Sequence, residues 1–85
     1  MKSVEIYTTQ SCPYCHAAKR LLTRKSAAFS EIDVGRDASL RIAMTKRANG
    51  GQTVPQIFIG GVHVGGSDDL HALDHAGKLD ALLAG

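Results

Sequence analysis

Val4-Glu5-Ile6-Tyr7-Thr8, then Thr9-Gln10-Ser11, then Cys12-Pro13-Tyr14-Cys15 with a helical pattern running to about residue 25, is the stretch that decides the fold. Residues 4–8 alternate and are rich in β-formers, which predicts a strand. Residues 9–11 form a polar loop. From Pro13 the period changes. Cys15, Ala18, Leu21 and Leu22 share one stripe, while Lys19, Arg20 and Arg24 fall off it, as in an amphipathic helix. Pro13 suits the first helical position, where its missing N–H costs no hydrogen bond. A strand, a Cys-x-x-Cys and a helix in that order form the setting in which two cysteines act as a redox pair.

Downstream, residues 28–34 alternate again, with Ala28, Ser30, Ile32 and Val34 on one side, and predict a second strand. Asp37 or Ser39 opens a helix carrying Leu40, Ala43 and Met44, which stops at Asn49-Gly50-Gly51. Two strands joined through a helix imply a parallel, right-handed βαβ unit. Residues 56–59, Gly60-Gly61 and residues 62–64 then predict a hairpin with a glycine turn. Gly65-Gly66-Ser67-Asp68-Asp69 leads into a helix with Leu70 and Leu73. Gly77 interrupts that helix, and Leu79, Leu82 and Leu83 finish on a short apolar turn. The order β-α-β-α-β-β-α predicts an α/β domain, a four-stranded mixed sheet with helices on both faces. Residues 1–85 are expected to form one domain.

Composition narrows the function classes. With 44% apolar and 21% charged residues, the chain has a globular balance. It has only two cysteines, where a disulfide-stapled secreted domain carries four or more. A bridge across two residues hardly constrains an unfolded chain, so the pair serves chemistry rather than stability. No run approaches the roughly 20 apolar residues of a membrane span, and the start shows no export pattern. A cytoplasmic monomer is expected. Residues 1–47 hold nine Lys/Arg against four Asp/Glu, and residues 48–85 one Lys against four Asp. That excess favours an anionic substrate. Nucleic acid is set aside, because the basic residues are spread over two helices and Trp is absent.

The helical pattern separates the two thiols. Cys12 falls at the N-cap and is expected to be exposed, whereas Cys15 lies one turn in, on the buried stripe. Unpaired N–H groups and the helix dipole place positive potential around Cys12, which favours an anionic sulfur. Cys12 is therefore the expected nucleophile and Cys15 the group that resolves the mixed disulfide. Zinc is the rival, since His71 and His75 stand four apart on a helix. The 55 residues between Cys15 and His71 argue against it, and both histidines are expected to face solvent. No permanent cofactor or metal is expected.

With Cys12-Pro13-Tyr14-Cys15, Thr53-Val54-Pro55 and Gly65-Gly66-Ser67-Asp68-Asp69 in place, the chain resembles the dithiol glutaredoxins, nearest to the bacterial glutaredoxin-3 type, from residue 4 to residue 83. The resemblance implies a thioredoxin-like fold that reduces protein disulfides and glutathione mixed disulfides, with glutathione as the reductant. Glutathionylated and disulfide-containing proteins, ribonucleotide reductase among them, are the implied partners. It also implies that Pro55 is a cis-proline placing the Val54 backbone, beside Thr53, against the cysteinyl unit of glutathione. Gly66, Ser67, Asp68 and Asp69 would receive the γ-glutamyl unit at a helix N-terminus. Tyr14 would flank the pocket, and Arg41 would meet the glycine carboxylate.

Two departures stand out. Thr9 occupies a position where many relatives have Lys or Arg, and Ser67 one where relatives often have a third cysteine. Pro13 and Tyr14 also differ from the Cys-Gly-Phe-Ser motif of the family's iron–sulfur carriers, which points away from a shared cluster.

Overall fold

The alternation at the start of the chain produces the strand that organises everything else. The computed structural model describes residues 1–85. In chain order its elements are β1 (Val4–Thr8), α1 (Pro13–Arg24), β2 (Phe29–Asp33), α2 (Ala38–Arg47), β3 (Gln56–Ile59), β4 (Val62–Gly65), α3 (Ser67–His75) and α4 (Leu79–Leu83). The sheet order is β2-β1-β3-β4, with β1 parallel to β2 and antiparallel to β3, and β3 antiparallel to β4. β1 and β3 are central, so both of their faces are covered. Val4, Ile6, Ile57 and Ile59 meet Ala18, Leu21 and Leu22 of α1, Leu70 of α3, and Leu79 and Leu83 of α4. On the other face Tyr7 and Phe58 meet Met44 and Ala48 of the α2 segment, with Val34. This is the mixed sheet with helices on both faces that the pattern predicts. Each Val, Leu, Ile, Phe or Met side chain among these contributes about 1.5–3 kcal/mol on burial. No helix is long and apolar enough to cross a membrane.

Three local results sharpen the expectations. Asp37, rather than Ser39, caps α2. Its carboxylate accepts from Ser39 N at 3.0 Å, Ser39 Oγ at 2.6 Å and Leu40 N at 3.3 Å. Of Leu40, Ala43 and Met44, the apolar residues this helix carries, only Met44 is buried. Leu40 is 38% exposed and Met44 fully buried. The sheet-facing positions are Met44, Arg47 and Ala48, with the Arg47 guanidinium 4.0 Å from the Phe58 ring centroid. A cation stacked on an aromatic thus takes the place of a second large apolar contact. The terminal apolar turn is a five-residue helix, α4. Lys25, just after α1, joins Asp74 of α3 at 2.7 Å and Asp80 of α4 at 3.1 Å.

The β3–β4 turn needs its glycines. Gly60 and Gly61 have φ of 58° and 80°, the left-handed pair required by the two-residue hairpin turn that matches strand twist.

Candidate functional site

Pro13 starts α1, which leaves Cys12 as its N-cap with extended backbone at φ −93° and ψ 111°. The cap is made by sulfur: Cys12 Sγ accepts from Cys15 N at 3.2 Å, where a serine or aspartate oxygen would ordinarily act. Cys12 S–H donates to Val54 O at 3.7 Å. Both cysteines are free thiols, Cys12 partly exposed and Cys15 buried. Cys15 is 0% exposed because it faces the same way as Ala18 and Leu22. Burial first, and then the neighbouring Cys12 sulfur, push the Cys15 thiol well above the ordinary thiol range. The geometry therefore makes one sulfur reachable and keeps the other covered and protonated.

A groove of about 470 Å³ opens beside Val54, the residue whose carbonyl Cys12 contacts. Tyr14, 64% exposed, stands on one side. Thr53, Val54 and Pro55 form the floor, and Gly66, Ser67, Asp68 and Asp69 close the far end. The Val54–Pro55 peptide is cis, as the resemblance implies. Gly65 has φ 120°, and a Cβ there would run into the Asp69 carboxylate. That carboxylate accepts from Gly66 N at 3.0 Å and so fixes the loop entering α3. Asp68, next to it on α3, is exposed.

Eight of the nine positions expected around the groove thus come together. Arg41 does not line it. It sits outside, by Gln52, with Nη2 donating to Gln52 O at 3.0 Å. His71 is half-buried rather than solvent-facing, its Nδ1 2.8 Å from Ser67 O and 3.3 Å from Ser67 Oγ. His75 is exposed. No three His, Cys, Asp or Glu side chains converge as a metal site.

Gln56 and His63 also line the groove, although both lie outside the three motifs. A signal was present: Gln56 is a lone polar residue opening an apolar strand, on the same alternation as Phe58.

A reachable thiol and a covered thiol at one helix N-terminus, on a mixed sheet of this topology, define a thiol–disulfide oxidoreductase. The sequence model of the family described as Glutaredoxin matches residues 4–64. The chain is 57% identical over 84 residues to a glutaredoxin of Pseudomonas aeruginosa, covering 99% of each chain. It is 54% identical over 83 residues to glutaredoxin 3 of Escherichia coli, covering 98% of this chain and 99% of the relative. A buckwheat glutaredoxin–glutathione complex superposes with a TM-score of 0.89 at 28% identity, covering 96% of this chain and 76% of the other. The chain belongs to the glutaredoxin family, and its sheet and helices form that family's thioredoxin-like fold.

Proposed function

We propose that residues 1–85 act as one unit that reduces protein disulfides and glutathione mixed disulfides, with glutathione as electron donor. The observation that carries this reading is the groove running from the Val54 backbone, whose carbonyl faces Cys12 Sγ at 3.7 Å, to the N-terminus of α3. Its volume of about 470 Å³ suits a tripeptide-sized ligand. The structural neighbour from buckwheat was solved with glutathione bound.

In this reading Cys12 is the nucleophile. Its thiolate attacks the glutathionyl sulfur of a mixed disulfide, the bond to the substrate sulfur breaks, and the departing thiolate takes a proton from solvent. A second glutathione thiolate attacks the glutathionyl sulfur on Cys12, forming oxidised glutathione and restoring Cys12. With a protein disulfide, Cys12 attacks one substrate sulfur. Cys15 gives up its proton and attacks Cys12 Sγ, and the substrate leaves as a dithiol. Two glutathiones then reduce the Cys12–Cys15 disulfide, so two electrons pass in each turnover.

The Val54 backbone pairs with the cysteinyl unit, strand against strand. Thr53 and Pro55 hold that edge, and Tyr14 covers the thiol side. At the far end the first turn of α3 presents the backbone N–H groups of Ser67 and Asp68 to the γ-glutamyl carboxylate. Asp69 is committed to Gly66, which leaves Asp68 for the ammonium group. Arg41 keeps guanidinium donors beyond its bond to Gln52, and these serve the glycine carboxylate. Disulfide-bearing enzymes such as ribonucleotide reductase are the partners of a monomer working in the cytoplasm.

The test is glutathione-coupled reduction of a small mixed disulfide. Cys12→Ser abolishes turnover. Cys15→Ser retains deglutathionylation and loses reduction of protein disulfides. Undiminished turnover in Cys12→Ser overturns the assignment.

A further inference from the structure

Three consecutive backbone carbonyls run from Gln52, just outside the groove, to Thr53 and Val54 on its lining, and each has its own partner. Arg41 Nη2 donates to Gln52 O at 3.0 Å, Gln56 Nε2 to Thr53 O at 3.0 Å, and Cys12 S–H to Val54 O at 3.7 Å. The middle bond depends on a side chain that is only 5% exposed. Thr53 O can only accept, so the end of the Gln56 amide facing it is the NH2. The same nitrogen lies 3.4 Å from Thr53 Oγ1. Gln56 Oε1 is left facing His63 Nε2 at 2.7 Å, and an acceptor there demands a hydrogen on Nε2. The donor direction is therefore single-valued along the chain, from imidazole to amide to carbonyl.

Packing holds this chain in place. Phe58 is the cross-strand partner of His63, with ring centroids 5.0 Å apart and planes tilted by 32°. Phe58 is itself 1% exposed, so it offers the imidazole a fixed wall. On the other side, a Cβ at Gly51 would stand only 2.8 Å from Gln56 Nε2. The amide thus lies where a side chain at residue 51 would stand, and glycine there is what admits it.

We propose that His63 is a positioning residue for turnover with glutathione: through Gln56 it fixes the Thr53 carbonyl, and so sets the Val54 backbone beside Cys12. This rests on the glutathione reading above. His63 touches neither reacting sulfur and moves no proton. What it supplies is the orientation of the edge on which the cysteinyl unit pairs. Losing it loosens ligand binding and leaves the nucleophile intact.

The experiment compares wild type, His63→Phe, His63→Gln, Gln56→Met and the His63→Phe/Gln56→Met double variant, using a glutathionylated peptide and varied glutathione. His63→Phe keeps a ring against Phe58 but has no N–H. Its KM for glutathione is expected to rise about tenfold, the loss of roughly one hydrogen bond. Its kcat should stay within about twofold, and iodoacetamide should alkylate Cys12 at the wild-type rate. His63→Gln, which can offer an amide N–H to Gln56, should restore KM. Gln56→Met should match His63→Phe, and the double variant should be no worse than either, because the two act as a unit.

An unchanged KM in His63→Phe, or additive losses in the double variant, overturns the proposal. Should His63→Phe fail to fold, nitrogen-15 NMR of the wild-type imidazole decides: a proton on Nε2 supports the relay, and a proton on Nδ1 alone refutes it. A wild type whose turnover ignores glutathione counts against the glutathione reading. A glutathione-dependent wild type with an indifferent His63→Phe counts against His63 alone.

Discussion

The two cysteines differ in burial more than in chemistry, and that difference has a direct readout. Cys12 reaches solvent from the N-cap, while Cys15 is fully covered and its thiol is pushed upward by burial and by the Cys12 sulfur. Each pKa unit of upward shift removes about a factor of ten in thiolate fraction. At neutral pH, iodoacetamide should therefore modify Cys12 first, and peptide mapping by mass spectrometry should find Cys15 untouched until the chain unfolds. Cys12→Ser should be alkylated more than about tenfold more slowly than wild type. A variant that reacts at the wild-type rate would show that Cys15 is accessible. Both sulfurs were legible in the sequence, because a helix start and a stripe period are enough to tell a cap from a core position. Gln56 and His63 were not. Their meaning comes from a strand pairing and a loop carbonyl, neither of which a linear pattern contains.

Among the elements, α2 shows where pattern and packing part. Leu40, Ala43 and Met44 have helical spacing, yet only Met44 is buried, and the face meeting the sheet runs through Arg47 and Ala48. Hydrophobic spacing identifies a helix but cannot say how much of it lies over the sheet. Nor does it anticipate that an arginine will lie 4.0 Å from the Phe58 ring centroid. The β1–α1 unit and the hairpin were legible because strand alternation, Pro13 and Gly60-Gly61 each impose a local geometry. The separate α4 was not, since five residues are too few for a period to emerge. Paired substitutions check the packing. Met44→Ala should cost about 2–5 kcal/mol in urea unfolding, while Leu40→Ala should stay under about 1 kcal/mol. Equal losses at the two positions would put the first turn of α2 against the sheet after all.

Across the whole molecule, ion pairs tie helices α1 and α2 to strands of the sheet. Arg47 at the end of α2 grips Glu5 on β1 with both guanidinium nitrogens, at 2.7 and 2.8 Å, and also reaches Tyr7 Oη at 3.1 Å. Glu31 on β2 accepts from Lys19 of α1 at 2.9 Å and from Thr8 of β1 at 2.7 Å. Arg47 holds the Glu5 carboxyl below its usual range, and Lys19, then Thr8, do the same for Glu31. A folded pKa below the unfolded one gives stability that is present above the unfolded value of about 4.5 and lost as pH falls through the folded value. Unfolding free energy should therefore be level near neutrality and decline in acid below about pH 4.5. Glu5 and Arg47 side chains are 35% and 33% exposed, so solvent screens the pair, and its contribution stays within about 1 kcal/mol. Glu5→Gln should lower stability by no more than that at pH 7, and its deficit should shrink as pH falls below about 4.5 and through the lowered folded value, where the wild-type carboxylate is also protonated. High salt should shrink the same deficit at pH 7. Chemical denaturation of both proteins at several pH values checks this. A deficit that stays constant from pH 7 into acid, through protonation of the wild-type carboxylate, would assign the role of Glu5 to packing rather than to its charge.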